Sequence, residues 1–145
     1  MAITAARSGR VYSMLCDVLE RNEIKYEING NTVTCLVNGH DGDIKLMFNI
    51  DTSKMLVTLY SPLGGLVPYS GAGDISLALC MINNSVSDGA FCYDITNRLI
   101  YFRMTSSFYN SGPTDFIFEY MLSAAADTVD EYRPKLRRLM GCFVS

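Results

Sequence analysis

The chain has no tryptophan and only one histidine. That histidine, His40, falls in a run dense in turn residues, at 38–43, where an imidazole is expected to be solvated. Nucleophilic triads and His-rich metal sites therefore have nothing to draw on. The five cysteines are odd in number, widely spaced and without a C-x-x-C pair. That pattern excludes a disulfide framework and a zinc knuckle. Most of the cysteines stand in apolar runs and read as small buried hydrophobes in a reducing compartment. Basic charge is also scarce, with a net charge of −3. Nucleic acid and anionic lipid surfaces are bound through clustered Lys and Arg, so neither is an expected partner. The one basic cluster, Arg133, Lys135, Arg137 and Arg138, is expected to stay in solvent at a helix C-terminus. No run approaches the ~20 apolar residues of a membrane span. Residues 1–10 lack the apolar stretch of a signal peptide. A cytoplasmic protein is the expectation.

The remaining short motifs are incomplete. Asp41-Gly42-Asp43 lacks the spaced oxygen ligands and terminal glutamate of a calcium loop. Gly71-Ala72-Gly73 before a helix lacks the third glycine and the Lys-Ser/Thr pair of a phosphate loop. Carboxylates are scattered rather than paired for acid–base work. The expectation is a protein that is not an enzyme, with no catalytic, cofactor-binding or metal-binding residues and no cofactor.

What the chain does have is apolar pattern: 49% of its residues are hydrophobic. At 145 residues it has the size of a single domain, spanning 1–145, able to bury a core without staples. Val11, Met14, Leu15, Val18 and Leu19 recur at helical spacing, which predicts a helix over 8–21. The period then changes to two. A short extended piece at 25–28 precedes strands at 32–37, 44–50 and 55–60. Ile44, Leu46, Phe48 and Ile50 share one face of the second of these; Lys45, Met47 and Asn49 share the other. Pro62, Gly64, Gly65, Pro68, Gly71 and Gly73 mark a long loop. A second helix is predicted over 74–84. Strands at 90–95 and 99–105 form a hairpin, with Asn97 suited to its left-handed turn position. Gly112 and Pro113 open a last helix that Pro134 should kink or end.

Two apolar surplus features rise above this pattern. The second helix carries Ile75, Ala78, Leu79 and Ile82 on one side, and also Leu77, Cys80 and Met81 on the other. One side can rest on the sheet, and the other needs the last helix or a second chain. Two strands are apolar on both faces. In one, Met55, Val57 and Leu59 oppose Leu56, Thr58 and Tyr60. In the other, Ile100, Phe102 and Met104 oppose Leu99, Tyr101 and Arg103. Helices on one side of an antiparallel sheet leave its other side wet unless a helix, a loop or a partner covers it.

Several stretches look familiar: Asn83 at the end of the second helix, then Gly89-Ala90-Phe91-Cys92-Tyr93-Asp94, then Leu99-Ile100-Tyr101-Phe102-Arg103. The last is the terminal run from Ala124 to Leu136. Together these resemble the YbjN family of bacterial proteins, with looser agreement in the first half through a Tyr-Ser-Pro turn at Tyr60, Ser61 and Pro62. Through its fold that family is similar to class I type III secretion chaperones, small acidic homodimers that hold an extended client segment. The resemblance implies an α+β fold of order α-β-β-β-α-β-β-α, an antiparallel sheet with helices packed mainly on one face. It also implies a homodimer and a chaperone-like or regulatory role with a protein client, and it brings no catalytic residues. The expected dimer or partner interface is Leu77, Cys80 and Met81 with Leu56, Tyr60 and Tyr101. The alternative is a small-molecule sensor with an apolar pocket between sheet and second helix.

Overall fold

In a computed structural model, which describes residues 2–108 and 114–141, the chain builds one six-stranded antiparallel sheet and three helices. The first helix, α1, spans Ala2–Arg21. It begins earlier than its apolar face requires, because Ala2, Ala5 and Ala6 are strong helix formers that outweigh Gly9. Val11, Leu15, Val18 and Leu19 are fully buried along one stripe. The helix stops without glycine: Glu23 takes the left-handed conformation (φ 57°). Glu23 N–H then bonds Glu20 O at 3.0 Å, and Ile24 N–H bonds Leu19 O at 2.9 Å, closing the last turn.

Four strands follow: β1 Tyr26–Asn29, β2 Thr32–Val37, β3 Ile44–Asp51 and β4 Leu56–Pro62. A 3-10 turn at Tyr69–Gly71 leads into α2, Ala72–Asn83. The hairpin β5 Ala90–Asp94 and β6 Leu99–Ser107 precedes α3, Asp115–Gly141. The expected helix opening at Gly112 and Pro113 lies outside the described residues. The strands lie side by side as β1-β2-β3-β4-β6-β5, so β1 and β5 are the edges. The element order is the expected one, with the short extended piece added as the edge strand β1.

Alternation decides which face is the core. Val33 and Cys35, Ile44, Leu46, Phe48 and Ile50, Val57 and Leu59, and Ile100, Phe102 and Met104 all point one way and are buried. Against them α3 lays Phe118, Met121, Ala125, Val129 and Leu136, with α1 beside it. Burying each such side chain contributes about 1.5–3 kcal/mol. α2 packs at the far edge, on β5.

Four expectations are corrected. Tyr60, Ser61 and Pro62 are not a turn but the end of β4, paired with Arg103, Phe102 and Tyr101. Proline is tolerated there because pairing of β4 to β3 ends at Tyr60, so its missing N–H costs no ladder bond on that side. Of the two outcomes expected at Pro134, a kink or an end, the end does not occur: α3 runs on to Gly141, with Arg133 and Leu136 buried on either side of the proline. In the β5–β6 turn Arg98, not Asn97, is left-handed (φ 58°). Asn97 instead donates from its side chain to Asp94 at 2.8 Å. Among the described cysteines only Cys35 is buried; Cys16 and Cys92 are half-buried, Cys80 is exposed, and Cys142 lies outside the described residues.

In the basic cluster, Lys135, Arg137 and Arg138 are exposed as expected, and the correction falls on Arg133. Arg133 is only 3% exposed. Its guanidinium donates to Asp43 O at 2.8 Å and Gly42 O at 2.6 Å, so it clamps the β2–β3 loop onto α3. Arg137 reaches Asp41 of the same loop, with Nη1 to Oδ2 at 2.9 Å. His40 adds a third tie: its backbone N–H and its ring Nδ1 both meet the Asp130 carboxylate. The loop can approach α3 this closely because residue 39 is glycine. A Cβ there would stand 2.9 Å from Asp130 Oδ1 and 2.8 Å from Gly42 O.

Candidate functional site

With α1 and α3 on one side, the other side of the sheet carries no helix among the described residues. One row across this outer face reads Thr34, Met47, Tyr60, Arg103 and Ala90. The neighbouring row holds Leu36 and Lys45, then Pro62, Tyr101 and Cys92. All ten are half-buried or exposed. The Tyr60 and Tyr101 rings sit 5.9 Å apart, tilted by 57°. Such a pair forms a rigid apolar platform with polar tips. Burial pushes the Tyr101 phenol above the ordinary tyrosine value, so it stays neutral and can donate a hydrogen bond. Further along, Thr32, Asn49, Thr58 and Thr105 make the face polar. Leu56 lies beyond them, opposite Asp51 and Ser107. It is separated from Tyr60 by four strand positions, roughly 13 Å. The structure thus joins Tyr60 to Tyr101 and sets Leu56 apart.

Of the carboxylates at the rim of this face, Asp51 and Asp94 are engaged, while Glu27 on the edge strand β1, opposite Thr34, is exposed. Asp51 accepts bonds from the Ser53 hydroxyl and from the Ser53 and Lys54 N–H groups, which hold it below the usual carboxylate range. Asp94 is lowered in the same way, first by the Asn97 side chain and then by the Asn97 backbone. Lys45 and Arg103 are exposed, and among the described residues neither has a carboxylate partner.

The second surface is the outer ridge of α2. Leu77 is 63% exposed and Met81 65%, with Cys80 between them and exposed too. The opposite side, Ile75, Leu79 and Ile82, is buried. Neither α3 nor any strand covers the ridge; Tyr69, exposed in the 3-10 turn before the helix, carries Arg98 over its ring at 5.0 Å. The angle of α2 is set at its end by Asn83, whose carboxamide bonds both backbone groups of Phe91 in β5.

Apolar surplus alone singles out Leu77, Cys80, Met81, Leu56, Tyr60 and Tyr101, and the sheet register is what pairs Tyr60 with Tyr101. Alternation puts Lys45, Met47 and Asn49 on one face of β3, and strand order across the sheet, which no local pattern carries, adds Arg103 to that face.

The clefts are open grooves. The largest of the four described, about 960 Å³, runs along the β1–β2 edge past Ile24, Tyr26, Leu36 and Lys45. Another, about 220 Å³, lies at the start of α3 beside Phe116 and Tyr120. The alternative reading, a small-molecule sensor, places a pocket between sheet and α2; the four grooves described have no lining residue from α2. Among the described residues no group of three or more His, Cys, Asp or Glu is placed to hold a metal. The Cys35 thiol is pushed up to about 11 by burial and stays protonated. No helix among the described residues is long and apolar enough to cross a membrane.

No family model matches the chain, and no curated protein matches it in sequence. Solved structures do match in shape. YbjN from E. coli, described as a candidate transcription regulator, aligns with a TM-score of 0.66 at 11% identity, over 88% of this chain and 91% of that one. A chain of the ExsC–ExsE complex aligns with a TM-score of 0.65 at 13% identity, over 89% and 95%. A chain of the HopA1–SchA chaperone–effector complex gives 0.57 at 13%, over 88% and 93%. The fold is therefore YbjN-like and type III secretion chaperone-like, an α+β architecture with an antiparallel sheet.

Proposed function

We propose that the protein is a non-enzymatic protein-binding module, chaperone-like or regulatory, working in the cytoplasm as a homodimer of single-domain subunits that holds a segment of a client protein. The observation that carries this reading is the outer face of the sheet, which presents the Tyr60–Tyr101 platform with no helix over it among the described residues. The fold likeness to chains solved as complexes with other proteins supports it. In this reading Leu77, Cys80 and Met81 form the dimer contact, and Tyr60, Tyr101 and Leu56 contribute to the client surface. A stable interface buries about 800 Å² per partner, more than three side chains supply. Tyr69, 67% exposed in the turn before α2, adds to the dimer contact in this reading. Client affinity would come from apolar burial at about 25 cal/mol per Å², less the cost of ordering the segment.

Native mass spectrometry of the gently purified protein tests both halves. A dimer carrying a polypeptide is the expected result. Leu77→Asp with Met81→Asp should give folded monomers, since both side chains are exposed and contribute little to the core. A wild type that is monomeric at micromolar concentration overturns the dimer. A chain that carries only a small ligand, or nothing, overturns the client reading in favour of the small-molecule sensor.

A further inference from the structure

We infer that the outer face selects an acidic–apolar client segment, one carrying two carboxylates about four residues apart with an apolar side chain between them. This rests on the protein-binding reading above and specifies its partner. Lys45 and Arg103 are the cations of the face, and both are exposed without a carboxylate partner among the described residues. They belong to strands on either side of β4, and the register offsets them by two residues along the strand direction. Two strand spacings and two residues put their backbones roughly 12 Å apart. Residues four apart in an extended chain are about 13 Å apart. The line between the two cations crosses β4 between Tyr60 and Pro62, so apolar surface lies where the middle side chain would land.

The charge is local and opposite to that of the whole chain. The protein carries −3 overall, yet this part of the face carries two unpaired positive charges. An acidic segment would be repelled by most of the surface and attracted here, which favours register as well as approach. A nucleic acid strand fits less well. It presents a phosphate at every nucleotide, and two isolated cations on an acidic protein would neutralise few of them.

A selection from a random 12-residue displayed peptide library tests this, with the wild type and the Lys45→Glu/Arg103→Glu double variant as parallel baits. Both replaced side chains are exposed, so the variant should fold, and circular dichroism confirms that first. The wild type should enrich peptides with Asp or Glu about four apart around an apolar residue. The leading peptide should lose affinity by about fivefold or more when its acids become Gln, and by a similar factor on the double variant at low salt. Peptides that enrich without acidic bias, or bind both baits equally, overturn the inference and leave the protein-binding reading standing. No enrichment on either bait overturns both. A 12-nucleotide oligouridylate that binds the wild type more tightly than the leading peptide overturns it in favour of nucleic acid.

Discussion

Asn83 satisfies both backbone polar groups of Phe91. Its Oδ1 accepts from Phe91 N–H at 2.8 Å and its Nδ2 donates to Phe91 O at 3.0 Å. Phe91 lies on the edge strand β5, and these groups face away from the sheet. The carboxamide thus stands in for a missing neighbour strand and joins the end of α2 to the sheet. The orientation of the α2 ridge depends on this joint.

Asn83→Ala leaves a partly buried donor and acceptor unpaired and should lower stability by about 1–3 kcal/mol. Asn83→Asp keeps the acceptor but sets a carboxylate against the Phe91 carbonyl, so it should not rescue the loss. Urea denaturation gives the magnitude. Hydrogen exchange at the Phe91 amide should rise in both variants before global unfolding.

Arg133 is buried to hold two loop carbonyls. Arg133→Ala should cost about 2–4 kcal/mol, because the carbonyls of Gly42 and Asp43 lose charge-assisted donors. Arg133→Lys keeps the charge but not the fork, and should recover only part of that loss. Loss of order should show first at residues 40–43 in amide spectra. A lysine variant as stable as the wild type would refute this role.

His40 titrates against Asp130. Hydrogen bonding to that carboxylate, and then its charge, raise the His40 value above the ordinary 6.5, while the Asp130 value is lowered, first by the His40 side chain and then by its backbone N–H. The His40 contribution is fully present below pH 6.5 and is lost as pH rises through the higher folded value. The Asp130 contribution is present above the ordinary carboxylate value and is lost as pH falls through its lower folded one. The tie is therefore strongest in mildly acidic solution and weakens toward alkaline pH. The charge of Arg133 beside Asp130 also helps hold that carboxyl below its ordinary value. An NMR titration of the His40 ring should give a midpoint above 6.5. Asp130→Asn should bring that midpoint back toward the ordinary value.

Gly89 opens β5 with a φ of +78°, and a Cβ there would lie 2.6 Å from Phe102 Cζ and 2.8 Å from Arg103 O. Gly89→Ala combines backbone strain with a clash against the core, and should cost about 2–4 kcal/mol. Thermal unfolding should show a drop several times larger than for Gly73→Ala, where a Cβ meets open space.

Sequence alone determined the elements and their faces. Val11, Leu15, Val18 and Leu19 declare a helix because burial on one stripe needs a period near 3.6, and Ile44, Leu46, Phe48 and Ile50 declare a strand because one face of a sheet needs a period of two. The surplus apolar residues, Leu77 and Met81 on α2 and Tyr60 and Tyr101 on the strands, were legible for the same reason: they fall where a one-sided element should be polar. Only the tertiary structure decided which residues from distant segments meet. Arg133 read as a solvated charge because its partners are backbone carbonyls on a loop far away in sequence, and carbonyls carry no letter. Asn83 likewise binds main chain. Lys45 and Arg103 became a pair only when β6, not β5, took the place beside β4. Periodicity is a local property of the chain, whereas strand order and loop docking are settled by closing the core as a whole.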